Sequence, residues 1–166
     1  MKKLLGVFIL IMVMTIPAIS SASLFNDLRN DPNYIYLGHI GTGTGLFLDK
    51  TSINVHEYNP PYYTIACVNL WWAYPDPRKD ELLKTRVHRY RYDYAKKKIY
   101  FEKHDINNNP YWDELNPKEF LKMESSQAFL VEPELVFYLA YNISFYDKPL
   151  SPKAKAYINS AEKSVY

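Results

Sequence analysis

The chain has 166 residues, of which 48% are hydrophobic and 16% aromatic, and its formal net charge is +2. This length is enough for one domain to bury a sizeable core without disulfides, and the near-neutral charge argues against nucleic acid as a partner. Cys67 is the only cysteine, so an internal disulfide is excluded.

Residues 1–22 have the pattern of a cleaved secretory signal peptide. Lys2 and Lys3 precede an uncharged run over residues 4–16, and small residues end at Ala22. The run is too short to span a bilayer, so we expect export to the periplasm, the cell surface or the medium, with no transmembrane segment in the mature chain. Cleavage removes Lys2 and Lys3 from the 20 basic residues and leaves 18 against 18 acidic residues, a net charge of about zero.

The first half of the remaining chain predicts three strands. A polar lead-in over residues 23–33 precedes strand 34–40, and a glycine-rich turn at 41–45 leads into a short second strand, 46–48. A strand and not a helix follows the glycines, which favours a structural turn over a phosphate loop.

Residues 62–74 form the longest strand candidate. Both of its faces are largely apolar, which predicts a central strand covered on both sides. Cys67 lies inside it, and we therefore expect a small buried residue and not a reactive thiol. Trp71 and Trp72 lie on opposite faces, so at least one of them meets a second layer or a partner.

The clearest hairpin joins strands 85–94 and 98–106. The register places Tyr90 opposite Phe101 and Tyr92 opposite Ile99 on one face. Arg89 lies opposite Glu102 on the other face. Apolar pairs on one side and charged pairs on the other are typical of an antiparallel sheet buried on one side.

The C-terminal part predicts helices. Residues 117–123 are a candidate short helix, residues 127–131 a candidate edge strand, and residues 133–145 a helix that begins at Pro133 and packs on the sheet. We therefore expect an α+β fold, with an antiparallel β-sheet of five or six strands and one main C-terminal helix. The single domain covers residues 34–146, and a polar tail follows at 147–166.

Several short landmarks occur together in the order of a known family. They are Leu46-Phe47-Leu48-Asp49, Val68-Asn69-Leu70 leading to Tyr74-Pro75-Asp76-Pro77, the strand at 90–94 and the helix after Pro133. This order resembles the surface-adhesin protein E-like domain of exported bacterial proteins over about residues 34–145. The resemblance implies an antiparallel sheet with a packed helix and, in the named members, adhesion to host matrix proteins. The chain departs from the adhesin in lacking a lipobox cysteine and a cysteine pair.

No residue pattern predicts a catalytic centre, a metal site or a cofactor. The four histidines, His39, His56, His88 and His104, have none of the spacings of metal ligands. Asp113 and Glu114 beside Trp112 are compatible with a glycosidase acid near an aromatic wall, but adjacent acids in a polar loop are more often solvated. We therefore predict a protein that is not an enzyme.

Charge and aromatic residues point instead to binding. Residues 84–104 carry eight basic against two acidic residues, while residues 105–134 carry two basic against seven acidic residues. A basic hairpin can contact anionic surfaces, although the two segments can also neutralise each other. Sixteen tyrosines add contact surface for proteins or sugar rings. The predicted binding residues are Trp71, Trp72, Arg89, Arg91, Lys96, Lys97 and Lys98.

The sequence thus predicts an exported bacterial, non-catalytic binding protein that is adhesin-like. Its partner would be a protein or an anionic polysaccharide at the cell envelope or in the host matrix. Two alternatives stay open at this point: a hydrolase acting on envelope polymers, and a structural envelope protein with no separate ligand.

Overall fold

A computed structural model of the chain describes residues 23–40, 43–73, 80–115, 127–147, 149–150 and 152–162. The predicted signal peptide at 1–22 and the candidate helix at 117–123 lie outside the described residues. So do Tyr74, the last residue of the predicted third strand, and the Pro75-Asp76-Pro77 landmark that follows it.

Six antiparallel strands form one sheet in which spatial order equals chain order. They are β1 (Tyr34–Ile40), β2 (Thr44–Asn59), β3 (Tyr62–Ala73), β4 (Leu82–Asp93), β5 (Lys98–His104) and β6 (Pro110–Glu114). Each strand therefore pairs with the strand that precedes it and the strand that follows it in the sequence, which makes the sheet a meander. With the helices, the fold is α+β and its sheet is antiparallel, as predicted.

Three helices accompany the sheet: α1 (Leu24–Asn30), α2 (Gln127–Tyr141) and α3 (Pro152–Glu162). α1 begins within the predicted polar lead-in, where Ser23 caps it by accepting a hydrogen bond from the backbone of Asn26. α3 lies within the predicted polar tail. No helix in the described parts of the chain is long and apolar enough to cross a membrane.

The core lies between α2 and one face of the sheet, which we call the inner face. Leu135, Val136 and Phe137 of α2 are fully buried there against apolar residues of β1, β2 and β3. The predicted core tyrosines Tyr90 and Tyr92 belong to this cluster, which confirms that interpretation.

On the opposite, outer face, α1 covers only one corner of the sheet. Phe25 of α1 packs edge-on against Tyr36 and Phe47, with ring centroids 5.6 and 5.3 Å apart. A Cβ at Gly45 would lie 2.6 Å from the Phe25 ring, so a larger residue there would displace the helix. The β4, β5 and β6 end of the outer face lies away from this corner.

The predicted hairpin register is confirmed from Tyr90–Phe101 through Asp93–Lys98. Beyond it, Arg89 and Glu102 are not partners in the strand register, although their side chains form the expected ion pair at 3.0 Å. β5 instead diverges from β4 and pairs with β6 from Tyr100 to His104. We call the resulting gap, between residues 82–87 of β4 and residues 102–104 of β5, the fork.

Two other strand predictions were wrong. Residues 127–131 are not an edge strand but the start of α2, because a short apolar run carries too little periodicity to separate the two structures. The helix predicted over 133–145 therefore begins at Gln127, contains Pro133 and ends at Tyr141. The sixth strand is β6. The second strand, predicted over 46–48, begins at Thr44 and does not end at Leu48. After a register shift between Asp49 and Asn54 it continues to Asn59, which makes β2 and not β3 the longest strand.

Candidate functional site

The predicted binding residues divide between several parts of the molecule. Arg89, Arg91 and Lys98 lie together on the outer face, as the pairing of β4 with β5 requires. Trp71 lies on the inner face, where Lys84 Nζ and Arg86 Cζ stand 4.0 and 5.2 Å from its ring centroid. The sequence prediction of one combined surface therefore includes residues that the structure does not bring together.

Trp72 holds the N-terminus of α1 in place. Its indole Nε1 donates to Asp80 at 2.6 Å, and Asp80 also accepts from the Ser23 hydroxyl at 2.8 Å and the Phe25 backbone at 2.9 Å. Burial acts to raise the pKa of Asp80, but these hydrogen bonds outweigh it and lower the pKa below its ordinary value. The contacts of Trp72 are thus those of a structural residue.

Four of the five predicted basic residues have carboxylate partners within the chain. Arg89 contacts Glu102 at 3.0 Å, Lys96 contacts Asp93 at 3.2 Å, and Lys98 contacts Glu114 at 2.8 Å. Lys97 lies 2.9 Å from Asp147 and also sits over the Tyr94 ring. The hairpin turn is therefore largely neutralised, which was the alternative interpretation of its charge.

Arg91 differs from these four. Its guanidinium carbon lies 4.3 Å above the centroid of the Trp112 ring, and within the described residues it has no carboxylate partner. Stacking on an indole fixes the plane of a guanidinium while its N–H groups still point outward. Arg91 is therefore an oriented cation on an exposed strand position.

A surface cleft of about 250 Å³ surrounds this stacked pair. We call it the outer cleft; it is lined by Tyr62, Arg91, Asp93, Tyr100 and Trp112. The register explains the grouping, because Arg91 lies opposite Tyr100 and Tyr62 opposite Asp93. Tyr62 is 44% exposed, so the rim of the cleft carries aromatic surface.

A second group of polar side chains is sealed between the inner face and α2. We call it the inner cluster: Cys67, Asn69, His88, Tyr90 and Glu132, each no more than 3% exposed. Nδ1 of His88 lies 2.9 Å from Oε1 of Glu132, and the Asn69 amide donates to Oε2 at 2.9 Å. A carboxylate can only accept, so both neighbours donate to Glu132.

A cysteine, a histidine and a carboxylate in one cluster are the residue types of nucleophilic catalysis. Here the thiol points at Glu132, with Sγ 3.5 Å from Oε1. Burial, and then the charge of Glu132, raise the pKa of Cys67 well above its ordinary value, so the thiolate form is disfavoured. The geometry gives the inner cluster a structural role: it ties α2 to β3 and β4.

Sequence reasoning missed the inner cluster. Its one usable signal was that Asn69 and His88 occupy inward positions of strands that are otherwise apolar or aromatic. Glu132 lies 44 residues from His88 along the chain, and only the packing of α2 brings the two together.

Asp113 and Glu114 do not form a facing pair of carboxylates. Successive residues of a strand point to opposite faces, and each acid contacts its own lysine, Lys103 for Asp113 and Lys98 for Glu114. Over the part of the chain that the structure describes, no three histidine, cysteine or acidic residues are grouped to hold a metal ion.

A comparison with protein-family models, curated proteins and solved structures finds no match to this chain. The resemblance to the surface-adhesin protein E-like domain therefore depends on the sequence landmarks and stays a prediction.

Proposed function

We propose that this chain is an exported, non-catalytic binding protein that holds an anionic polysaccharide in the outer cleft. The observation that carries the proposal is the pairing of Arg91 with Trp112 on an exposed strand position, with Tyr62 and Tyr100 beside it. α2 is the main helix in this proposal, since it supports the opposite face of the same sheet.

The residue types of the cleft match the chemistry of a charged sugar chain. The aromatic rings of Tyr62, Tyr100 and Trp112 offer apolar faces to the C–H faces of sugar rings, and the tyrosine hydroxyls offer hydrogen bonds. Arg91 can bind a carboxylate or a sulfate through two parallel N–H groups. Asp93, held by Lys96, repels a misplaced anion and so restricts where the charge binds.

The size of the cleft favours a polysaccharide over a small free molecule as the ligand. Its volume of about 250 Å³ is below the roughly 300–1,000 Å³ of pockets that enclose a small ligand. A polymer lying across the sheet would contact the cleft with one unit and continue over the neighbouring strands. Export and an adhesin-like role at a cell surface are parts of the proposal that the predicted signal peptide and the resemblance support.

The experiment is a titration of the purified protein with heparin, a polyuronate and neutral dextran at low and physiological salt. We expect heparin or polyuronate to bind, Trp112→Ala to abolish the interaction, and Arg91→Ala to remove its salt-sensitive part. The matched controls are Tyr111→Ala, an exposed aromatic residue on the other face of β6, and Lys155→Ala, an exposed cation of α3.

Two results would contradict the proposal. If neither anionic polymer binds at low salt, the structural-protein alternative gains support. If a polymer binds equally well to wild type and to the Trp112→Ala and Arg91→Ala variants, the outer cleft is not the site.

A further inference from the structure

The fork leaves part of β4 with one strand neighbour. Residues 82–87 pair with β3 alone among the described strands, since the β4–β5 register begins at Tyr90. In an antiparallel ladder, alternate residues point their N–H and C=O groups away from a given neighbour. This stretch of β4 therefore presents a row of backbone donors and acceptors to the fork.

Several side chains of this edge are apolar and exposed. Leu82 is 45% exposed, Leu83 50% and Val87 61%. Natural edge strands are often protected by inward-pointing charge, and Lys84 and Arg86 supply such charge here. Like-charged strands are therefore disfavoured at this edge, while an acidic strand is not. The fork contains a groove of about 400 Å³, lined by residues 86–88 of β4 on one side and by residues of β5 and Tyr111 of β6 on the other. This groove gives room for an extended peptide beside Arg86 and Val87.

The charge of the edge is positive on one side. Lys84 and Arg86 point to the inner face, where both lie over the Trp71 ring, and neither has a carboxylate partner within the described residues. The acids at the fork are engaged elsewhere, Glu102 with Arg89 and Asp113 with Lys103. Thr85 and Val87 alternate with the two cations and point to the outer face.

Charge also distinguishes between two kinds of strand that could pair with β4 in the fork: a second copy of β4 and an acidic strand. A second copy of β4 paired across a two-fold axis would bring Lys84 and Arg86 of both copies together, and like charges opposite each other destabilise a strand pair. A strand with acidic side chains on its inner face and β-branched apolar side chains on its outer face has the complementary pattern.

We propose that residues 82–87 of β4 are a docking edge for an extended acidic peptide of a partner protein, which adds to the sheet as a strand in the fork. Main-chain hydrogen bonds to β4 supply the register, Lys84 and Arg86 select acidic residues, and Val87 packs against the apolar ones. The site is separate from the outer cleft and does not depend on polysaccharide binding.

The test uses a fluorescent octapeptide of alternating glutamate and valine, titrated into the purified protein at low salt. We expect saturable binding, with amide shifts and hydrogen-exchange protection centred on residues 82–87. The Lys84→Glu/Arg86→Glu variant should bind about tenfold more weakly, since charge complementarity is reversed. Lys155→Glu, an exposed cation of α3, is the matched control and should bind as wild type does.

A peptide N-methylated at alternate residues distinguishes strand addition from charge attraction, because it keeps the carboxylates but loses backbone donors. Strand addition predicts that this peptide fails to bind. Equal binding of the methylated peptide, or of the charge-reversed variant, would overturn the proposal, as would shifts centred on the outer cleft or no binding at all. The wild-type exchange map decides the matter even if the double variant is poorly folded.

Discussion

The two faces of the sheet differ in how their polar side chains are partnered. On the inner face, Glu132 is fully buried, and its carboxylate oxygens accept hydrogen bonds from His88 and Asn69 at 2.9 Å each. On the outer face, Arg91 stacks on Trp112 at an exposed position and has no carboxylate partner within the described residues. The polar groups around Glu132 are thus hydrogen-bonded within the chain, whereas Arg91 contacts an aromatic ring and not an acid.

This difference shows that residue type alone does not identify a site. Cysteine, histidine and glutamate would be the first choice for chemistry in any list of side chains, yet here they hold a helix on a sheet. Arginine and tryptophan would be counted as surface residues, yet their geometry leaves hydrogen-bonding capacity for a partner. Whether the donors and acceptors of a group are already satisfied decides between the two roles.

The largest effect should follow from removing the carboxylate at the centre of the inner cluster. Glu132→Ala leaves the Asn69 amide and the His88 ring without their acceptor in a sealed space. We expect a loss of about 3–5 kcal/mol in the free energy of unfolding, measured by urea denaturation. Glu81→Ala, at an exposed position, is the matched control and should change stability by less than about 0.5 kcal/mol. Equal effects of the two variants would mean that the inner cluster is not a structural unit.

Removing one hydroxyl group, that of Tyr92, tests a second buried contact between α2 and the sheet. Tyr92 donates to the backbone oxygen of Pro133 at 2.8 Å, in the buried interface. Tyr92→Phe removes the donor and leaves a buried carbonyl unpaired, which should cost about 1–3 kcal/mol. Tyr62→Phe, at the exposed rim of the outer cleft, should cost nearly nothing. The two variants differ from wild type by the same atom, so thermal melts compare burial directly.

Alkaline pH should destabilise the folded chain through the buried groups of the inner cluster. Burial and the nearby Glu132 raise the pKa of Cys67 well above 9.0 and that of Tyr90 well above 10.0. Above pH 9 the unfolded chain therefore loses protons that the folded chain keeps. Stability is fully present below that pH and falls as the pH rises, by about 1.4 kcal/mol per pH unit for each titrating group.

The measurement is urea denaturation between pH 8 and about pH 11. Cys67→Ala should flatten the first part of the decline, near pH 9, and leave the later part to the tyrosines. A decline that begins at the same pH and has the same slope in this variant would show that Cys67 titrates normally in the folded protein.

Local patterns predicted the fold where strands are adjacent in sequence. β1 has the predicted bounds, and the β4–β5 register was correct wherever the two strands pair. Alternation and turn residues encode such contacts within a few positions. The prediction failed where a contact depends on distant packing. Nothing local shows that β5 leaves β4 after Phe101, or that residues 127–131 belong to a helix.

The candidate site was predictable to a similar degree. Arg91 was singled out because it lies on the outward-facing side of a hairpin, which is local information. Its stacking on Trp112 requires β6, a strand that the sequence did not predict. The neutralisation of Arg89, Lys96 and Lys98 also depends on which acids come near them. Charge counts along the chain showed that the segments could cancel, but not which cation would stay available.

The smallest effect on stability is expected for the ion pair of Arg89, which lies beside Arg91 on the same face of the sheet. Arg89 is partly exposed and paired with Glu102, and such a pair contributes only about 0.2–1 kcal/mol. A double-mutant cycle with Arg89→Ala and Glu102→Ala should give a coupling in that range that weakens with salt. Arg89→Ala should leave polysaccharide affinity almost unchanged, whereas Arg91→Ala should reduce it. If Arg89→Ala instead abolishes binding, the ion pair opens on contact with the ligand and the binding surface extends from the outer cleft toward the fork.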